Sequence, residues 1–511
     1  MRRSTAMTAV TEAVLIDHLR RTDGQEDLCF ATWKPSTGAR RITNLIQRPI
    51  LPGESDRAVH GNASFHQSYV LRSAQLAAEE GEGLVLVHSH PAALEWQQMS
   101  APDARAEASI ANLAREITGL PLVGMTLAAR DGSWSARTWD RGVGGNVAST
   151  SSESVRVVGD HLGISFNPDL LPIPPSTEML TRTVSAWGQS TQDELARTRV
   201  LVVGAGSLGM PLIEILARSG IQAVGVMEFD YVDWLNLDRL HSASRLDAAL
   251  RRPKLEIANR LLANASTSAD PQHELYGESL CEPAGLRAAL DFDLVMLCVD
   301  SPWARHVANV MAYNDLIPVI DAGVAIKRHQ DGRLRNAYWR TTVARPGAPC
   351  LRCVGQYEPA LVQLERDGSL LKPGYLDALP HDHPLKARQN VGAISLAATG
   401  SHLGHLLSYL IAPSGLGDPG PMIHDLALHR STFAASGLHS SCSLETAVGL
   451  GDDRLDPAGV DLTAEQARAS ARSIAQRILL PSVRGAEALQ RGVERGLLEL
   501  LARNRHRRAV R

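Results

Sequence analysis

His88 and His90 stand two residues apart at the end of the apolar run Leu84 to Val87, and Asp103 follows with Ser100 three residues before it. Alternate side chains of a strand share a face, so both imidazoles are expected on the same side. Asp103 can reach them from a following helix. Two imidazoles and a carboxylate hold a tetrahedral Zn2+ and leave its fourth position for water, the arrangement of a catalytic zinc rather than a structural one. Water at such a metal has a pKa of about 7 and can attack a carbonyl at neutral pH.

A second set of residues begins at the apolar run Val200 to Val203, which enters Gly204-Ala205-Gly206-Ser207-Leu208-Gly209. Met210, Leu212, Ile213 and Leu216 continue at helical spacing, and the next apolar run ends at Glu228. Strand, glycine turn, helix and strand make a nucleotide site: the glycines let backbone N–H groups approach a phosphate at the positive end of the helix, and the carboxylate can accept from a ribose. Asn236, Arg239 and Lys254 come next, and the apolar run Leu294 to Val299 ends in Asp300. Arg and Lys neutralise phosphate oxygens while a carboxylate holds Mg2+, which suits ATP better than a nicotinamide dinucleotide. Cys350 and Cys353 have the Cys-x-x-Cys spacing of a metal-binding pair.

The segment from about Arg182 to Pro413 resembles the ThiF/MoeB/ubiquitin-activating family, which adenylates the C-terminal glycine of ubiquitin-like proteins. The residues that carry the resemblance are GAGSLG, the EFD ending at Asp230, NLDR, Pro253-Lys254 and the CVD ending at Asp300. It implies a Rossmann-like domain in which Glu228 binds the ribose of ATP, Asn236, Arg239 and Lys254 bind its phosphates, and Asp300 binds Mg2+. It also implies a homodimer and a structural zinc of which Cys350 and Cys353 are half. For the other half this chain offers Cys442, with His439 three residues earlier to complete a Cys3His set. Thioester-forming relatives keep a cysteine in the crossover after the sheet, and Val354 to Leu438 holds none.

HSHPAALEWQQMSAPD resembles the JAMM/MPN motif of zinc isopeptidases, across roughly residues 10 to 140. The resemblance assigns His88, His90 and Asp103 to zinc, Ser100 to support of the oxyanion and an upstream glutamate to the general base. Glu26, in QEDLCFATW, fits the family's position between first helix and strand, and Glu54 beside Gly53 is the competitor. The connection from His90 to Ser100 is longer than the family's.

Together these readings describe an α/β protein: a JAMM-type zinc peptidase domain over residues 1–145, a linker over 146–180, a ThiF-type adenylation domain over 181–450 and a helical C-terminal extension over 451–511. The expected enzyme processes or deconjugates a small ubiquitin-like or sulfur-carrier protein by zinc-dependent hydrolysis, and activates its terminal glycine with ATP and Mg2+. Two alternatives stand beside it: adenylation of a small peptide or amino-acid carboxylate, and a non-enzymatic scaffold with degenerate domains.

The elements that must position these residues fit the chain's size. A length of 511 residues calls for two or three cores, and 44% hydrophobic content with a net charge of −3 is that of a soluble protein without a nucleic-acid footprint. Residues 11–20 and Tyr69 to Glu80 read as helices, Asp27 to Trp33 as a strand, and Thr463 to Arg508 as one or two helices before the basic Arg503 to Arg511. No apolar stretch follows Met1-Arg2-Arg3, and Ile394 to Ile411 carries His402 and His405, so a buried helix is expected there and neither a signal peptide nor a membrane span. Six scattered cysteines form no disulfide framework, and a reducing, cytoplasmic setting is expected.

Overall fold

The computed structural model describes residues 1–60, 62–141, 146–372, 374, 389–433, 442–470 and 474–509. The first unit strings together β1 (Arg2–Thr8), α1 (Ala9–Leu19), β2 (Leu28–Thr37), β3 (Arg41–Ile50), the hairpin β4 (Arg57–His60) and β5 (Asn62–Phe65), α2 (Gln67–Glu79), β6 (Gly83–His90) and α3 (Ala101–Thr118). Five more strands follow: β7 (Leu122–Ala128), β8 (Ser133–Arg141), β9 (Val147–Ser151), β10 (Ser154–Val158) and β11 (Leu162–Phe166). Nine of them form one sheet in the order β11-β10-β1-β3-β2-β6-β7-β8-β9. α1 packs on one face, where Leu15 and Leu19 meet Met7, Cys29, Trp33 and Val87. α2 and α3 cover part of the other, where Tyr69, Ala74 and Ile110 meet Phe30 and Leu86.

The stretch 146–180 is corrected from linker to sheet as far as Phe166, because β9, β10 and β11 belong to the nine strands. The first unit therefore does not end at 145. Residues 167–177, including the prolines near 172–175, run between the two units without regular structure.

The described residues of the second unit form eight strands: β12 (Arg199–Val203), β13 (Ala223–Met227), β14 (Gln272–Tyr276), β15 (Leu294–Leu297), β16 (Val319–Arg328), β17 (Leu334–Ala344), β18 (Met422–Asp425) and β19 (Arg430–Phe433). Their order is β14-β13-β12-β15-β16-β17-β18-β19, parallel as far as β16 and antiparallel beyond it. The order reverses direction between β12 and β15, and a ligand crevice opens outside the C-terminal ends of strands at such a switch point. Helix Gly392–Ile411 lies against this sheet with His402 and His405 buried. No described helix is long and apolar enough to cross a membrane.

The units share a core and a buried charge network. Ala6, Leu45, Val158 and Leu162 of the first sheet join the apolar cluster of Val200, Leu216 and Met296. Arg41 and Arg156, both fully buried, donate to Asp293 Oδ1 at 2.7 and 2.9 Å, and Arg199 N donates to Asp293 Oδ2 at 3.1 Å. Such pairs add little net stability, because desolvation offsets attraction, but removing one partner strands a buried charge. The helical extension expected from residue 451 begins only at Leu462. Before it, the chain forms a strap across both units: Gly449 O accepts from Gln47, Asp453 pairs with Lys34, and Pro457 O accepts from the Trp303 indole.

Candidate functional site

β6 is buried over most of its length, and its alternation delivers His88 and His90 to the same side. α3 begins at a capping box in which Ser100 Oγ accepts from Asp103 N while the Asp103 carboxylate accepts from Ser100 N, which aims that carboxylate back at the strand end. The Nε2 atoms of the histidines lie 3.3 Å apart, and Asp103 Oδ2 lies 3.7 Å from His88 Nε2 and 3.4 Å from His90 Nε2. A tetrahedron built on zinc bonds of about 2.0–2.2 Å has edges of about 3.3–3.6 Å. The three donors thus already sit at nearly the spacing a zinc ion requires, and their types suit that metal.

Thr126 Oγ1 lies 3.4 Å from His88 Nε2, the nitrogen that faces His90 and Asp103, and so borders the cluster itself; it accepts from Arg137, whose guanidinium is forked by buried Glu107. Gln97 Oε1 lies 3.4 Å from His90 Nδ1, so the long connection between His90 and Ser100 supplies an orienting group. Hydrogen bonding to Asp103 raises the His90 pKa above its ordinary value. Burial works to raise that of Asp103, yet hydrogen bonds from His88, His90 and Ser100 hold it well below the usual carboxylate range.

Glu26 is brought to this cluster. β2 pairs antiparallel with β6 through Leu28 and His88, Ser89 N donates to Asp27 O, and the pairing carried one step further sets Glu26 beside His90, whose pKa its charge helps to raise. Glu54 lies exposed in the turn ahead of β4 and makes no bond to the cluster among the described residues. Ser100 donates its hydroxyl to Asp103 Oδ2 at 2.6 Å, so here it orients a ligand instead of standing free to meet an oxyanion. Sequence reasoning missed Asp27, which is buried beside Glu26 and held by Arg57 at 2.5 and 2.8 Å and by Arg21 at 3.2 Å. Its partners come from the β4–β5 hairpin and the turn after α1, and no local spacing announces them.

The second set gathers at the C-terminal ends of β12, β13 and β15. Gly204 has φ +93°, and a Cβ there would lie 2.7 Å from Cys298 O, while a Cβ on Gly209 would collide with the Gly204 carbonyl. Both positions exclude other residues. Gly206 is different: a Cβ there would meet nothing within 4 Å, so its backbone borders open space. Glu228 accepts from Ala205 N and Asp230 N, each at 2.9 Å, which ties the end of β13 to the glycine turn. Burial raises its pKa despite the pull of Lys254.

Lys254 opens helix Lys254–Ala265 and places Nζ 2.9 Å from Asp230 Oδ2. Burial disfavours its charge, but Glu228, Asp230 and Asp300 together raise its pKa, so the ammonium persists among three carboxylates. Asp230 was not among the sequence candidates, although it is the last residue of EFD. Asn236 Oδ1 accepts from Asp233 N, and its amide group remains as donor. Arg239 donates Nη1 to Leu235 O and Asp238 Oδ1, and its backbone abuts Gly392 at the start of the long buried helix. Ser207 of the glycine turn accepts from Asn390 and Ser395 beside that same start.

Cys350, Cys353 and Cys442 form a third group, with Cys350 and Cys353 sulfurs 3.4 Å apart and one ligand atom of each within 4.8 Å of the others. Three thiolates suit a structural zinc. His439, the expected fourth ligand, lies outside the described residues.

The model of the ThiF family matches residues 180–407. These residues form a ThiF-family domain. The glycine turn, Glu228, Lys254 and Asp300 all lie within the matched residues. The curated relatives include an adenylyltransferase and sulfurtransferase UBA4 of Meyerozyma guilliermondii, 32% identical over 35% of this chain and 39% of that protein. A sulfur carrier protein ThiS adenylyltransferase of Bacillus subtilis is 28% identical over 33% of this chain and 46% of that protein. A molybdopterin-synthase adenylyltransferase of Escherichia coli is 31% identical over 32% of this chain and 61% of that protein. The chain thus spans less than two thirds of the length of these relatives. A crystal structure of E. coli MccB with ATP covers 53% of this chain and 74% of that chain at 16% identity and a TM-score of 0.39, and it carries no weight for function.

The ThiF domain and the histidine cluster face away from each other. Arg199 and Asp293, at the starts of β12 and β15, meet the first unit, whereas the glycine turn and Asp300 lie past the opposite ends of those strands. In the first unit Ser36 to Arg41 meet the second together with Ala6, Leu45, Arg156 and Val158, and Glu26 lies beyond the end of β2 opposite to Ser36, on a strand of 10 residues, about 33 Å long.

Proposed function

We propose that this chain adenylates the C-terminal glycine of a small ubiquitin-like or sulfur-carrier protein with ATP, and that its first unit hydrolyses a peptide or isopeptide bond next to such a glycine. The observation that carries the adenylation reading is Lys254, a largely but not fully buried ammonium held among Glu228, Asp230 and Asp300 at the mouth of the glycine turn. The names of the relatives, two of which are adenylyltransferases of sulfur-carrier or molybdopterin systems, support the same reading.

The glycine-turn amides and Lys254 receive the phosphates, Glu228 faces the ribose, and Asn236 and Arg239 approach the outer phosphates. Asp300, exposed at its strand end, would hold Mg2+, whose chemistry would be to neutralise charge on the departing pyrophosphate. A carboxylate oxygen of the carrier attacks the α-phosphorus, the α–β phosphoanhydride bond breaks, and the acyl-adenylate remains. No proton transfer is required, so alignment and charge neutralisation supply the acceleration. Arg239 and Lys254 are the residues that act on the reacting phosphates. The chain works as a homodimer in the cytoplasm, and its adenylate passes to a thiol or amine of another molecule.

In the first unit His88, His90 and Asp103 would hold zinc, which when bound would lower the pKa of water to about 7. Glu26 takes the proton from the attacking water and passes it to the leaving amine. Ser100 and Gln97 keep the ligands in place. This half of the reading rests on geometry alone, on three donors spaced as corners of a tetrahedron with a carboxylate beside them. Because the two sites face apart, a carrier must leave one before it reaches the other.

Purified protein, ATP, Mg2+ and a carrier ending in Gly-Gly should exchange labelled pyrophosphate into ATP, and Lys254→Ala should not. Exchange that is absent with wild type, or equal in the variant, ends the adenylation reading. Elemental analysis should show one zinc fewer in the His88→Ala, His90→Ala double variant, and equal zinc ends the hydrolase reading.

A further inference from the structure

The long helix Ile474–Ala509 returns to the start of the helix that carries Lys254. Arg252, two residues before Lys254 and 3% exposed, donates Nη1 and Nη2 to the two carboxylate oxygens of Glu487 at 3.0 and 2.9 Å. Its Nε lies 2.9 Å from Oδ1 of buried Asp247. Two residues beyond Lys254, Glu256 pairs with Arg484 of the same long helix. Lys254 therefore stands between two attachment points to a segment remote in sequence.

The backbone links those points to the nucleotide end of the sheet. Val232 N donates to Arg252 O at 2.8 Å and Lys254 N donates to Asp230 O at 2.9 Å, so residues 252–254 are laced to the loop that holds Asp230. A two-pronged Arg–carboxylate contact fixes direction as well as distance, and at a buried guanidinium it is not replaced by water. The Glu256–Arg484 pair is largely exposed, at 28% and 50%, and such pairs contribute little.

We propose that Glu487 is a positioning residue for Lys254: by forking Arg252 it fixes the turn from which the Lys254 ammonium reaches the phosphates of ATP. The inference rests on the adenylation reading. Without the Glu487 carboxylate, Arg252 keeps Asp247 and the looser 3.6 Å approach to Glu256 but loses its two-pronged contact. The turn at Pro253 loosens, and Lys254 samples positions short of the phosphates. The C-terminal helix then acts on nucleotide affinity from outside the crevice.

The test is titration of the full-length protein with Mg·ATP by calorimetry, alongside thermal melting, for wild type, Glu487→Gln, Glu487→Ala, Arg484→Ala and Lys254→Ala. Glu487→Ala should weaken ATP binding about fivefold or more, a fraction of what a charge-assisted hydrogen bond contributes. Glu487→Gln retains one acceptor for Arg252 and should fall between wild type and alanine, with a melting temperature near wild type. Arg484→Ala should bind as wild type does. ATP affinity in Glu487→Gln and Glu487→Ala within twofold of wild type overturns the proposal, and if the alanine variant does not fold, the glutamine variant decides alone. Lys254→Ala separates the two claims: unchanged ATP binding there removes the adenylation reading itself, whereas loss there with normal binding in both Glu487 variants removes only the role of Glu487.

Discussion

Three glycines of one turn make a graded test of the nucleotide reading, and Gly206→Ala is its most informative member. A methyl at Gly206 meets no protein atom within 4 Å, and the residue is not among those at positive φ, so the substitution strains nothing in the fold. Reduced freedom of the unfolded chain should even stabilise the protein by about 0.4–1 kcal/mol. The same methyl projects into the space a phosphate must enter. Backbone N–H groups bond phosphate oxygens at about 2.9 Å, whereas a methyl carbon keeps an oxygen at about 3.3 Å or more. Losing one such bond to a charged group removes about 1.5–3 kcal/mol, a factor of about 10 to 150 in Kd. Gly209→Ala acts the other way: its methyl collides with the Gly204 carbonyl, so stability falls by at least about 1–3 kcal/mol. Thermal melting with ATP titration separates the two. Gly206→Ala should melt at or above wild type and bind ATP at least tenfold more weakly. Wild-type ATP affinity in Gly206→Ala would refute the placement of the phosphates at this turn.

Other outcomes follow from the same structure. Glu26→Gln should keep its zinc, as Glu26 is not a ligand, yet lose about 10²–10⁴ of any peptide hydrolysis, measured with a Gly-Gly–lysine isopeptide substrate; hydrolysis at the wild-type rate would transfer the base role elsewhere. Asp293→Asn leaves Arg41 and Arg156 buried without their shared anion and should destabilise the protein by about 3–5 kcal/mol in chemical denaturation, while zinc content stays the same. Asp315 lies between the units, bonded by Ser36 and Arg454, with Oδ2 lacking a partner, and burial outweighs Arg454 to push its pKa up to about 7. Since this value is raised above that of the unfolded chain, its contribution is complete below about pH 4 and is lost as pH rises through 7. Melting from pH 5 to 8 should therefore show a loss of stability on the order of 2–4 kcal/mol that Asp315→Asn flattens.

What the sequence disclosed and what it hid divide by range. His88, His90 and Asp103 were legible because strand alternation and a helix cap act over a few residues, and the glycine turn because Gly209 answers to the Gly204 carbonyl of the same turn, although Gly204 itself is also held by Cys298 from the end of β15. The strands mistaken for linker were hidden by their polarity. β9, Val147–Ser151, is an exposed edge strand of small polar residues, and β10 buries Arg156, whose partner Asp293 lies far along the chain. β1 likewise buries Ser4 and Thr5, satisfied by Thr43 of β3 and by Ser152 in the turn between β9 and β10. Buried polar residues paired across the fold look locally like loop. The same applies to Asp230 and to the Arg252–Glu487 contact, which matter only once the chain has closed.

The account turns on Lys254 meeting nucleotide phosphates in front of a glycine-ended carrier. Pyrophosphate exchange with wild type and Lys254→Ala, with and without a Gly-Gly carrier, tests this directly. Exchange that requires both ATP and carrier, and that falls at least a hundredfold in the variant, is the result the structure predicts. Exchange that proceeds equally in the variant, or never appears in wild type, would contradict it.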